Sequence, residues 1–233
     1  MTAATLALET CADAVGDIFA GVFARLETWR DRFFSALGPR PSTTAIDEVV
    51  SGVVIPSLSR DSLLIGAGLI AAPDYVRGRG VHFAWWLGPL DAGPIFGSTD
   101  GPTRLDLSTR GYADYLRDVR SLEWYATPAE AGVGHVTGPY IDHLCTCDYI
   151  LTPTIPAYAD GRFAGVVGAD IAVHRLEADL LPIVLAVEEP IALVNADGRV
   201  VMSTSATAPA GSLIREIRDA ARCRDTPLAV VAV

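Results

Sequence analysis

Asp118-Val119-Arg120-Ser121-Leu122-Glu123-Trp124-Tyr125 is the stretch on which the reading of this chain turns. Two adjacent aromatic residues close it, directly after an acidic one. Aromatic side chains mostly bury, so in isolation Trp124 and Tyr125 read as core residues of a helix. Further along, aromatic and acidic residues recur in order: Gly138-Pro139-Tyr140-Ile141-Asp142, then Asp160-Gly161-Arg162-Phe163-Ala164-Gly165-Val166-Val167-Gly168-Ala169-Asp170-Ile171. Tyr140 follows Tyr125 by 15 residues, and Asp170 follows Tyr140 by 30. Asp170 sits in otherwise apolar strand sequence. A buried carboxylate there needs a partner, either a protein donor or a ligand cation.

Working outward, period-two and apolar runs surround this centre. Strands are expected at residues 63–71, 81–87, 135–141, 147–158 and 163–172, with a short one at 105–107. Asp160-Gly161 marks a hairpin between the last two long strands. In the strand at 81–87, Trp85 and Trp86 point to opposite faces, and the spacing does not choose which borders a pocket. Residues 109–120 have helical spacing. After Ala172 a helix carries Leu176, Leu180, Leu181 and Val184, and a second hairpin spans 190–203 across Asp197-Gly198. A short helix at 212–221 and a strand at 228–233 complete the chain.

Ahead of the sheet, residues 3–37 read as one long helix. Cys11, Val15, Ile18, Val22, Leu26, Trp29 and Phe33 recur at steps of three and four, with Phe19, Phe23, Phe34 and Leu37 widening the stripe. That width motivates the expectation of a homodimer through this helix. Pro39 and Pro41 end it, and a second helix is expected at 44–55, capped by Ser42 or Thr43. The pattern is α+β: a long N-terminal helix, an antiparallel sheet module and a smaller C-terminal α/β module. The expected divisions are 1–37, 38–175 and 176–233.

Composition narrows the function. Of 233 residues, half are hydrophobic, which suffices for a large core, and a net charge of -10 disfavours nucleic acid and anionic membrane partners. The four cysteines, Cys11, Cys145, Cys147 and Cys223, do not form a secreted disulfide pattern. The first basic residue is Arg25, so a signal peptide is not expected, and no apolar run is long enough to span a membrane. These features lead to the expectation of a cytoplasmic protein.

The ordered motifs resemble the double-Cache sensor family, a PAS-like fold, most closely over residues 105–175. The resemblance implies a ligand-binding sensor without a prosthetic group, signalling through a regulatory partner. In the family's amino-acid-binding branch an Arg two residues before the Trp holds the ligand carboxylate. Here that position is Leu122, and Arg117 replaces the Tyr five residues earlier. What remains matches the part that holds an amino group, so the pattern resembles the amine-binding branch. A cationic amine needs aromatic faces and carboxylates. Trp124, Tyr125 and Tyr140 supply the first, and Asp142, Asp170 and Glu123 the second.

Two other readings stand beside this one. The same sensor could take an amino acid or another carboxylate, if Arg117 or Arg120 turned inward. Alternatively, His135, His143, Cys145 and Cys147 suggest a metal- or thiol-dependent enzyme. On a strand, His143, Cys145 and Cys147 would share one face, but zinc sites more often pair two distant Cys-x-x-Cys knuckles. The simpler view is two small buried cysteines and a loop histidine. No Gly-x-Ser-x-Gly, His-Glu-x-x-His or phosphate loop is present, so catalysis and a cofactor are not expected.

Overall fold

In a computed structural model of the protein, residues 3–78, 80–90, 98–106, 119–143, 146–217 and 219–233 are described. Helix α1 spans Ala3–Ala36. Helix α2 (Thr43–Val54) follows, and Ser42 caps it by accepting a hydrogen bond from the Ala45 amide at 3.2 Å. Next come strands β1 (Leu64–Ala71), β2 (His82–Leu87) and β3 (Thr103–Arg104). Helix α3 (Glu123–Ala131) precedes β4 (His135–Ile141), β5 (Tyr149–Ala159) and β6 (Arg162–Ala172). Helix α4 (Val173–Val184) leads to β7 (Ile191–Val194), β8 (Val200–Ser203), β9 (Ala220–Arg222) and β10 (Ala229–Ala232).

Two antiparallel sheets result. The larger has the order β3-β2-β1-β6-β5-β4, and the smaller β8-β7-β10-β9. This is the α+β architecture expected from the sequence. The strands of the larger sheet alternate between two cores. Ala67 and Leu69 of β1, Ala84 and Trp86 of β2, and Val167, Ala169 and Ile171 of β6 join the main core with α1 and α2. Ile70, Trp85, Leu87 and Val166 join a separate cluster beneath α3. That second face carries the site.

Helix α1 buries Leu8, Cys11, Val15, Phe19, Leu26 and Phe33. Its N-terminal half lies on the smaller sheet: a Cβ on Gly16 would approach Arg224 to 3.2 Å, and Arg224 pairs with Asp17 at 2.9 Å. Its C-terminal half lies on the larger module, where Phe23 meets Gly134 and the Phe34 and Tyr75 rings are 5.4 Å apart. The wide apolar stripe is thus taken up within one chain.

The structure corrects several sequence expectations. Residues 212–217 are not helical. Ile214 N–H donates to the Gly198 carbonyl and Val200 N–H to that of Ser212, both at 2.9 Å, so this backbone bonds to the neighbouring hairpin instead of to itself. Residues 220–222 form β9, against β10. Strand β5 starts two residues later than expected because Cys147 takes a left-handed conformation, with φ 60°. The short strand is β3, starting two residues earlier than expected, and Leu105 follows it with its N–H on the Trp85 carbonyl at 2.9 Å. The helix expected at 109–120 falls largely outside the described residues; Val119–Ser121 forms a 3-10 turn. Leu181 is exposed, not on the buried face of α4.

A polar knot fastens α2 to the sheet edge. Asp47 accepts from His82 Nε2 at 2.9 Å and from Arg104 Nη2 at 2.8 Å. His82 is buried. Asp47→Ala should therefore destabilise the protein by about 1–3 kcal/mol, the usual effect of orphaning a buried polar group. Urea unfolding with unchanged m-value would measure it.

Candidate functional site

The site lies between the second face of the large sheet and α3. Asp170 of β6 is at its centre, 6 % exposed. Its Oδ1 accepts from Thr152 Oγ1 of β5 at 2.8 Å, and the Trp85 side chain also donates to it. Thr152 spends its single proton on Asp170, so the Tyr140 hydroxyl is the donor in the 2.7 Å bond to Thr152 Oγ1. Burial raises the Asp170 carboxyl to about 7, and the nearby charge of Asp142 pushes the same way; the Thr152 and Trp85 hydrogen bonds oppose both.

Glycine spacing makes room for this arrangement. Gly66 pairs across the sheet with Asp170. A Cβ there would lie 2.9 Å from Trp85 Nε1 and 3.2 Å from Asp170 Oδ2. Gly168 likewise leaves space for the far edge of the Trp85 ring, which a Cβ would approach to 3.3 Å. The indole can therefore lie across β1 and β6 with its N–H toward the carboxylate.

Trp124 stands above, on the first turn of α3, and Thr154 Oγ1 donates to its carbonyl at 2.8 Å. Phe83 braces it edge-on, with ring centroids 6.3 Å apart. Asp142, just past β4, is buried and accepts from the Thr146 backbone and hydroxyl at 3.1 and 3.2 Å. Together Trp85, Trp124, Tyr140, Asp142, Thr152 and Asp170, with Ile70, Phe83, Leu105 and Thr154, line a chamber of about 50 Å³. A second chamber of about 360 Å³ shares Trp124, Tyr140 and Asp142 and reaches Asn195 and Arg199 of the small module.

Four of the six candidate residues, Trp124, Tyr140, Asp142 and Asp170, thus meet in one place. Glu123 borders only the larger chamber; it is exposed and pairs with His135 at 2.8 Å. Tyr125 is buried on the other side of Trp124, edge-on to Phe163 at 5.6 Å, and does not line the small chamber. The sequence left Trp85 undecided and did not single out Thr152, Thr154 or Phe83. Strand alternation places Phe83 with Trp85, but only cross-strand register reveals which face meets Asp170.

The shared strand face behind the metal and thiol reading is not found. His143 and Cys147 lie in a turn, not on a strand, and Cys147 is exposed, not a buried apolar residue. Cys145 and Arg117 lie outside the described residues. Among the described residues no group of three His, Cys, Asp or Glu could hold a metal ion.

A PAS-like sheet with a half-polar chamber under a short helix defines a ligand-binding sensor module. The sequence profile of the methyl-accepting chemotaxis protein-like first PDC sensor domain matches residues 53–178. The chain belongs to that family. No curated protein sequence matches it.

Solved structures agree on the fold. The extracellular domain of a protein described as a histidine kinase superposes with TM-score 0.64 at 13 % identity, covering 98 % of this chain and 91 % of that one. The ligand-binding domain of the Pseudomonas aeruginosa amino acid chemoreceptor PctC, in complex with GABA, gives 0.57 at 17 %, covering 95 % and 93 %. That of the Pseudomonas fluorescens chemoreceptor CtaA with L-valine gives 0.59 at 16 %, covering 97 % and 92 %. These likenesses overturn the cytoplasmic expectation, since such modules include an extracellular domain and chemoreceptor ligand-binding domains. That no described helix is long and apolar enough to cross a membrane gives no location by itself.

Proposed function

We propose that this module senses a small cationic amine outside the cytoplasm and passes the signal to a kinase or chemoreceptor partner. The observation that carries the reading is Asp170. It is a buried carboxylate beside a second acid, Asp142, in a chamber roofed by Trp124 and walled by Tyr140. An ammonium group would neutralise Asp170 and meet the negative faces of the aromatic rings. Leu122, the uncapped start of α3, supplies no cation for a ligand carboxylate. Tyr125 and Glu123 serve in this reading as support for Trp124 and as rim. Self-association through α1 keeps little apolar support, with Leu6 the large exposed hydrophobic residue on its described face.

Thermal-shift screening of alkylamines against amino acids and organic acids tests the reading, since a ligand that binds only the folded state raises Tm. Amines should stabilise the protein. Trp124→Ala should then weaken amine binding roughly tenfold through lost cation–π contact, as read by calorimetry.

A second reading, an amino acid ligand, draws support from the chemoreceptor structures in complex with GABA and L-valine. Leu122→Arg separates the two. On the amine reading it should repel the amine and admit an amino acid that the wild type rejects.

A further inference from the structure

We propose that Thr137 is a second specificity contact, and that the ligand is an amine carrying a hydroxyl or second amino group at its far end. This rests on the amine reading of the Asp170 chamber. That chamber, at about 50 Å³, holds an ammonium head and little more. The body of a ligand must occupy the adjoining chamber of about 360 Å³.

In the wall of that larger chamber, Thr137 of β4 is only 5 % exposed, and its Oγ1 is buried with no hydrogen-bond partner among the described residues. Buried hydroxyls are ordinarily paired, so this one is suited to a polar group of the ligand. Strand register fixes its distance from the head group. Thr137 pairs with Thr152 across β4 and β5, and Thr152 donates to Asp170 of β6. The three residues form a row on one face of the sheet. Two strand spacings make about 10 Å; a ligand lying above the sheet meets each end through a hydrogen bond of about 2.9 Å inclined by about 30–60° to that line, which leaves roughly 5–7 Å between its polar groups. That is the reach of a chain of about three to five carbons.

The chamber is built by both modules. Asn195 of the β7–β8 hairpin donates to the Gly138 carbonyl at 2.9 Å, closing the hairpin against β4. Its charged lining includes Glu123, Asp142 and Asp197 against Arg199, whose guanidinium donates to the Gly211 carbonyl at 2.9 Å. The acidic surplus selects against a terminal carboxylate.

Calorimetry on n-butylamine, the matching terminal amino alcohol, the terminal diamine and the terminal amino acid tests the proposal. In the wild type, the alcohol or the diamine should bind roughly three- to tenfold tighter than n-butylamine, the scale of one added hydrogen bond. Thr137→Val, which keeps the shape, should erase that advantage and leave n-butylamine unchanged. Thr137→Ser should retain it, and Asp170→Asn should weaken every amine. Equal binding of n-butylamine and both bifunctional amines, or an advantage that survives Thr137→Val, would overturn this inference alone. Tighter binding of the amino acid than of n-butylamine overturns the ligand class. Failure of all the amines, or indifference to Asp170→Asn, overturns the amine reading and this inference with it.

Discussion

Asp170→Asn should lower amine affinity at pH 8 by roughly one to two orders of magnitude, the effect of losing one charge-assisted hydrogen bond of about 1.5–3 kcal/mol. The pH dependence gives a second signature. The Asp170 carboxyl is raised from 3.8 to about 7, chiefly by burial and then by the charge of Asp142. An ammonium ligand needs it ionised. As pH falls below about 7, wild-type affinity should therefore drop, approaching tenfold per unit, while the Asn variant stays flat. Stability without ligand should move the opposite way. Between pH 3.8 and about 7 the folded protein holds a proton that the unfolded chain has released. Stability is then lost as pH rises through this window, because the buried group is forced to ionise. Asp170→Asn removes that dependence, so the variant should gain Tm over the wild type at pH 8 and not at pH 4. An amine affinity that is unchanged in the folded variant and flat with pH would exclude Asp170 as the counter-charge.

Phe19→Ala should destabilise the whole protein by about 3–5 kcal/mol, the range for removing a fully buried aromatic ring. Phe19 is completely buried in the main core. It sits on α1 between the segment that meets Arg224 of the small module and the segment that meets Gly134 of the large one. A void there loosens the shared spine of both sheets. Denaturant unfolding should show one shifted transition. A shift below about 1 kcal/mol would mean that the site collapses around the deletion. Loss of only one transition of two would mean that the modules fold independently of the helix.

Much of this architecture is legible in the sequence because local periodicity encodes it. The three-and-four stripe from Cys11 to Phe33 gives α1, the Asp160-Gly161 turn gives the β5–β6 hairpin, and alternation gives β4 at its observed bounds. Expectations failed where backbone hydrogen bonds are made across the chain. Ser212 and Ile214 have their backbone partners on the β7–β8 hairpin, and no local pattern reports a partner so far along the chain. The offset of β5 likewise follows from the left-handed turn at Cys147.

The chemistry divides in the same way. The sequence by itself determined which residue types were on hand: an acid in an apolar strand, aromatic residues at fixed spacing, and Leu122 at the position where the resemblance to the amino-acid-binding branch implies an arginine. Only the tertiary structure decided which of them meet. Register across β1, β2 and β6 set the bare Gly66 beside Asp170 and turned Trp85, not Trp86, toward it. Helix α3 turned Trp124 over the chamber and Tyr125 onto Phe163. Packing against β4 brought the β7–β8 hairpin up to Thr137. The reason is physical: side-chain types and periods are local properties of the chain, whereas a cavity is made by the relative placement of strands and helices far apart in sequence.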